Sequence, residues 1–89
     1  MKVVLSPRSE KELRKLSKLD QLALARKIRS LKEEEDSSGE EKLQGFRKIF
    51  RVRPGNFRII YRKQPQEIYI ILIGHRREVY EVLQRLQGY

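Results

Sequence analysis

The chain has no cysteine, no tryptophan and a single histidine. Without cysteine there is no disulfide framework, no thiol nucleophile and no thiolate-bound zinc, and one imidazole builds no histidine-rich metal site. A reducing, cytoplasmic setting is the expectation. Long apolar runs are also missing. The longest, residues 68–73, is far below the roughly 20 residues that cross a bilayer, and the first residues carry no apolar signal region. The expectation is a chain that is neither secreted nor membrane-spanning. No glycine-rich phosphate loop and no histidine-based triad occurs, so no metal and no cofactor is expected. The consecutive acids Glu33, Glu34, Glu35 and Asp36 diverge around a helix and make a poor metal site.

What is present is positive charge. In 89 residues there are 21 Lys and Arg against 12 Asp and Glu, a net charge of +9. Length bounds the expectation to one small domain spanning residues 1–89. Charged residues reach 37%, well above the usual quarter, so the core must be small. The surplus is uneven: residues 1–45 hold 11 basic and 9 acidic side chains, whereas residues 46–89 hold 10 basic and 3 acidic ones. Within 47–63 stand Arg47, Lys48, Arg51, Arg53, Arg58, Arg62 and Lys63 with no acid between them. A salt-bridged face interleaves acids. This run therefore points to a polyanionic partner, most simply nucleic acid.

Residues 2–5 (Lys-Val-Val-Leu) form a β-rich run stopped by Ser6 and Pro7, a first strand. Ser9 followed by Glu12 reads as a capping box opening a helix with Leu13 and Leu16 on its apolar side. After a break at 17–20, Asp20 is the expected cap of a second helix. Its Leu24, Ile28 and Leu31 recur at helical spacing; Ala25 joins the buried side, and Arg26, Lys27, Arg29 and Lys32 look outward. Residues 36–41 read as a mobile surface loop. Strands are expected over 46–53, 57–63 and 67–73, joined by Pro54-Gly55-Asn56 and Gln64-Pro65-Gln66 as an antiparallel meander. The third is apolar on both faces, which marks an interior strand. Val79, Val82, Leu83 and Leu86 give a closing helix over 78–86. The order β-α-α-β-β-β-α is an α+β domain with a mainly antiparallel sheet, an N-terminal helical hairpin, a short C-terminal helix, and helices packed on one face.

Alternation with period two puts Arg47, Ile49, Arg51 and Arg53 on one face and Phe46, Lys48, Phe50 and Val52 on the other. Arg58 and Arg62 join the basic side in one of the two registers. The expectation is a flat or concave cationic sheet face without a carboxylate cluster near it.

Three motifs occur in order: Lys42-Leu43-Gln44-Gly45; then Arg51-Val52-Arg53-Pro54-Gly55-Asn56-Phe57-Arg58-Ile59-Ile60-Tyr61; then Gly74-His75-Arg76-Arg77-Glu78-Val79-Tyr80. Together they resemble the RelE toxins of type II toxin–antitoxin modules, within the RelE/ParE superfamily, over nearly the whole chain. The resemblance implies a RelE-like fold and a ribosome-dependent endoribonuclease that cuts mRNA in the ribosomal A site and inhibits translation. It also implies inhibition by a cognate, RelB-like acidic antitoxin, the toxin being a monomer within that heterocomplex. Position by position it makes Arg51, Arg53, Arg58, Arg76 and Tyr80 the candidate catalytic residues. The best-studied relatives carry lysines where this chain has Arg51 and Arg53. Arginine grips phosphate oxygens bidentately but is a poor proton donor or acceptor, so these two positions read as electrostatic. Tyr80 offers a phenol for proton transfer or a ring for stacking. His75 joins the candidates because imidazole suits acid–base work near neutral pH. Arg47, Arg62, Lys63 and Arg77 read as RNA-backbone contacts. The competing readings are a ParE-like, non-enzymatic inhibitor of DNA gyrase and a catalytically inactive RNA-binding relative.

Overall fold

The structure, a computed structural model, is described over residues 1–33, 39–75 and 78–86. The elements run β1 (Lys2–Leu5), α1 (Pro7–Arg14), α2 (Lys18–Glu33), β2 (Glu41–Lys42), β3 (Ile49–Val52), β4 (Phe57–Gln64), β5 (Glu67–His75) and α3 (Glu78–Leu86). They form an α+β fold around one five-stranded sheet ordered β1-β5-β4-β3-β2. β1 lies parallel to β5 and every other pairing is antiparallel. The expected meander is β3-β4-β5, and β5, apolar on both faces, is an interior strand between β1 and β4. No helix among the described residues is long and apolar enough to cross a membrane.

Both expected helix caps move. Ser6, not Ser9, caps α1: its hydroxyl oxygen accepts the Ser9 N–H at 3.0 Å, and Pro7 occupies the first helical turn, where its missing N–H costs nothing. Ser17 rather than Asp20 caps α2, accepting the Asp20 N–H at 3.2 Å. Displaced from the cap, Ser9 and Glu12 turn to the sheet. β1 ends at Leu5, opposite Ile70, so the edge of β5 beyond that point needs other partners. Ser6 Oγ donates to the Ile71 carbonyl (2.7 Å), Ser9 Oγ lies 3.2 Å from the Ile70 carbonyl, and Glu12 Oε1 accepts the Ile73 N–H (2.8 Å). Side chains of α1 thus continue the ladder that β1 leaves off.

The sheet is apolar on both faces. Leu24 and Leu31 of α2 pack with Val52, Phe57, Ile59, Tyr61, Ile68, Ile70 and Ile73 on one side. Val79 and Leu83 of α3 pack with Ile49, Ile60, Ile71 and Leu72 on the other. α3 therefore covers the face opposite the helical hairpin, which corrects the expectation of helices on one face. The faces are fixed by a β-bulge: Ile60 opposes Leu72 and Tyr61 opposes Ile70, leaving Ile71 as an extra residue. Ile71 and Leu72 consequently share the α3 side, and every residue of β5 after them is turned over relative to a simple two-residue count.

Three further expectations change. β3 begins at Ile49 rather than at residue 46, because the left-handed backbone of Gly45 (φ 83°) and Lys48 (φ 57°) bends the chain before it. The loop expected at 36–41 lies outside the described residues at 36–38, and its end is ordered: Glu40 is largely buried and Glu41 opens β2. Ala25 is exposed. At Pro54–Phe57 the Phe57 N–H donates to the Pro54 carbonyl (3.1 Å). Positive φ at Gly55 alone fits a hairpin turn with glycine at its first central position.

Candidate active site

Strands β3 and β4 carry Arg51 and Arg58 on the side covered by α3, and α3 brings Tyr80 to them. Arg51 Nη1 donates to the Tyr80 hydroxyl at 2.5 Å. The Arg58 guanidinium carbon stands 5.9 Å from the centroid of the same ring, within cation–π range. One phenol thus sits between two guanidiniums. Gly74 makes this approach possible. It lies opposite Arg58 in the sheet, and a Cβ placed on it meets Val79 Cγ1 at 2.7 Å. Only glycine lets the start of α3 close over the strand end, one residue before Tyr80.

The two arginines are held rather than free in solvent. The Arg51 side chain is 11% exposed, and its Nη2 is 2.8 Å from Glu41 Oε2. The Nε atoms of Arg51 and Arg58 are buried without a hydrogen-bond partner among the described residues. A phosphate, with several acceptor oxygens, matches a pair of guanidiniums held in this way.

The candidates separate by position. Arg53 is exposed and lines, with Gly55, Asn56, Phe57 and Arg58, a cleft of about 420 Å³ at the same end of the sheet. Arg62 lies opposite Ile49 and Tyr69, both on the α3 side, so it extends the basic face along β4. That face is a cationic margin beside an apolar core, not the open plane expected, because α3 covers Ile49, Ile60 and Leu72. Arg47 is exposed in the loop before β3. Arg76 and Arg77 lie outside the described residues. Lys63 faces the other way: its Nζ is 2.9 Å from Glu40 Oε1 and 5.1 Å from the Phe50 ring centroid. His75 also faces away from Tyr80. It opposes Phe57, whose ring belongs to the hairpin-side core, and the two rings are 4.3 Å apart.

Two acids escaped the reading of the sequence. Glu41, opposite Arg51 in β2–β3, places a carboxylate beside the Arg51–Tyr80 pair, where none was expected. Its neighbour Glu40 points to the other face, accepting hydrogen bonds from Tyr61 and Lys63. Burial first, then the hydrogen bond and charge of Glu40, push the Tyr61 phenol far above its ordinary value. The signal for Glu41 is a cross-strand pairing, which no local motif encodes.

The model of the ParE toxin family, the toxin of the type II toxin–antitoxin system parDE, matches residues 3–80. The chain belongs to this family. It is a toxin of the RelE/ParE superfamily, and its fold is shared with solved toxin structures. The isolated RelE toxin of E. coli superposes with a TM-score of 0.70 at 25% identity, covering 96% of this chain and 97% of that one. RelE in the RelB–RelE complex of Methanococcus jannaschii gives 0.73 at 17% identity, covering 89% and 96%. The YoeB dimer of Staphylococcus aureus gives 0.71 at 15% identity, covering 85% and 97%. No curated protein matches the toxin by sequence.

Proposed function

We propose that the toxin is an endoribonuclease that cleaves mRNA in the ribosomal A site and so stops translation. The observation that carries this reading is the Tyr80 phenol bonded to Arg51 at 2.5 Å with Arg58 against its ring. In the proposed reaction the 2′-oxygen attacks the adjacent phosphorus, the P–O5′ bond breaks, and a 2′,3′-cyclic phosphate and a 5′-hydroxyl form. Arg51 and Arg58 bind the nonbridging oxygens, where charge builds in the transition state. Tyr80 gives a proton to the departing 5′-oxygen and Glu41 accepts the proton of the 2′-hydroxyl. Arg53, Arg62, Arg47, Arg76 and Arg77 contact flanking phosphates. His75 and Lys63, on the opposite face, take no part in this mechanism.

An acidic antitoxin is the proposed partner, and the cytoplasm the proposed compartment. RelE toxins with this fold have been crystallised with RelB antitoxins, and a half-chain with 10 basic and 3 acidic residues suits an acidic, initially disordered segment that folds against it.

One observation favours a second reading. The family model matched is that of the ParE toxin, whose superfamily branch includes non-enzymatic gyrase inhibitors. A cell-free translation reaction with primer-extension mapping, run beside a gyrase supercoiling assay, separates the two. New mRNA 5′ ends only on translated messages, with supercoiling intact, support the nuclease. Blocked supercoiling without new ends supports the inhibitor.

A further inference from the structure

Between β2 and β3 the chain makes a closed loop. The Leu43 N–H donates to the Ile49 carbonyl at 2.9 Å, and the Lys63 N–H donates to the Lys48 carbonyl at 2.9 Å. Gly45 and Lys48 both have positive φ (83° and 57°). A lysine held in the left-handed region is unfavourable and persists only where neighbouring bonds impose it, a pattern concentrated at ligand sites. The loop encloses an open pocket of about 730 Å³ lined by Lys42, Leu43, Gln44, Gly45, Phe46 and Arg47, a size ordinary for ligand sites. Leu43 and Phe46 pack against the core beneath α3, so the pocket has a fixed apolar wall, while Gln44 and Arg47 are exposed. Glu41, ion-paired to Arg51, immediately precedes the lining residues in the sequence, and Leu43 and Phe46 share the α3 side of the sheet with Tyr80.

We propose that this pocket holds one nucleobase of the RNA strand whose phosphate lies at Arg51 and Arg58, an inference that rests on the RNA-cleaving reading above. A base has an apolar face and a polar edge. The Phe46 ring and Leu43 meet the face, the Gln44 amide, both donor and acceptor, meets the edge, and Arg47 meets the flanking phosphate. The positive charge of Arg47, continuous with the acid-free run that follows, selects a polyanion over a neutral or basic peptide. The pocket then sets which nucleotide is presented beside the cleaved bond.

The test is a titration of the purified toxin with trinucleotides carrying a 2′-deoxy sugar at the cleaved position and 2-aminopurine as the pocket base, read by fluorescence. Wild type is expected to quench the probe saturably. Phe46→Leu, which keeps an apolar wall, is expected to weaken binding by about fivefold to a hundredfold, and Phe46→Trp to restore it. Gln44→Ala, at an exposed position, is expected to narrow the spread of affinities among the four natural bases. A trinucleotide abasic at the pocket position, read like those with natural bases by competition against the fluorescent one, is expected to bind wild type and Phe46→Leu alike. Equal affinity of wild type and both folded variants for the intact trinucleotide overturns the pocket assignment, even where translated mRNA is still cut. Loss of both trinucleotide binding and mRNA cutting overturns the nuclease reading with it. Quenching competed by an acidic peptide but not by unlabelled RNA assigns the pocket to a protein partner and also overturns the proposal.

Discussion

Arg51 touches two groups of different chemistry at once, the Tyr80 hydroxyl and the Glu41 carboxylate. In the proposed mechanism one guanidinium thus positions a proton donor and a proton acceptor while its own charge serves a phosphate. Glu41→Gln keeps the size and removes the proton-accepting carboxylate, and the expected effect is a loss of about 10²-fold or more in cleavage rate with the melting temperature nearly unchanged, measured on ribosome complexes. His75→Ala is expected to leave cleavage within about threefold, since its ring lies tilted against Phe57 across the sheet from Tyr80; substitutions at exposed positions are close to neutral in stability. The contrast explains what was legible here. Arg51, Arg58 and Tyr80 stand out as an ordered motif, whereas the two arginines share a side only in one of the two registers that alternation allows, the one the β3–β4 pairing adopts. The position of His75 on the other face was not legible, because the extra residue Ile71 reverses the parity of the strand before it. Glu41 is silent because its meaning arises only when β2 pairs with β3.

At the scale of elements, β5 meets α3 through one glycine and α1 through one borrowed carboxylate. Gly74→Ala drives a methyl group into Val79, and the expected cost is about 1–3 kcal/mol of stability with a larger relative loss of cleavage, because α3 carries Tyr80. Urea denaturation beside a cleavage assay measures both. Glu12 supplies the acceptor for the Ile73 N–H that β1 is too short to reach. Glu12→Ala leaves that donor unsatisfied and is expected to cost about 1–3 kcal/mol, whereas Glu12→Gln, which keeps an acceptor oxygen, is expected to cost less. The order of elements was readable from periodicity, and α3 falls on the residues its apolar spacing indicates. The caps were not, because Ser6 and Ser9 are both serines three residues before a possible partner. Pro7, favoured just inside a helix start, is the local signal that decides for Ser6.

For the whole molecule, the sheet works as a partition. The hairpin side holds the larger core and the Glu40–Tyr61–Lys63 cluster, while the α3 side holds the cationic site, so stability and chemistry are largely separated. Tyr61 is fully buried with its phenol raised well above 10.0. The folded state therefore keeps this proton after the unfolded chain has lost it. Its contribution is complete below about pH 10 and falls as pH rises beyond that, by at most about 1.4 kcal/mol per pH unit. Denaturation at pH 9, 10 and 11 is expected to show a steeper alkaline loss for wild type than for Tyr61→Phe. The net charge of +9 acts at the same scale. It was legible as a polyanion preference, but not as a margin beside α3, because that requires knowing that a helix covers the middle of the face.

The most direct test is single-turnover cleavage of mRNA on purified ribosome complexes with the A site open, comparing wild type with Tyr80→Phe at saturating toxin. The site geometry calls for rapid cutting in the A-site codon by wild type. Tyr80→Phe, with ribosome binding and melting temperature retained, should cut about 10²-fold or more slowly. Equal cutting by the two proteins, or no cutting by wild type at saturating occupancy, contradicts the role assigned to the Arg51–Tyr80–Arg58 cluster.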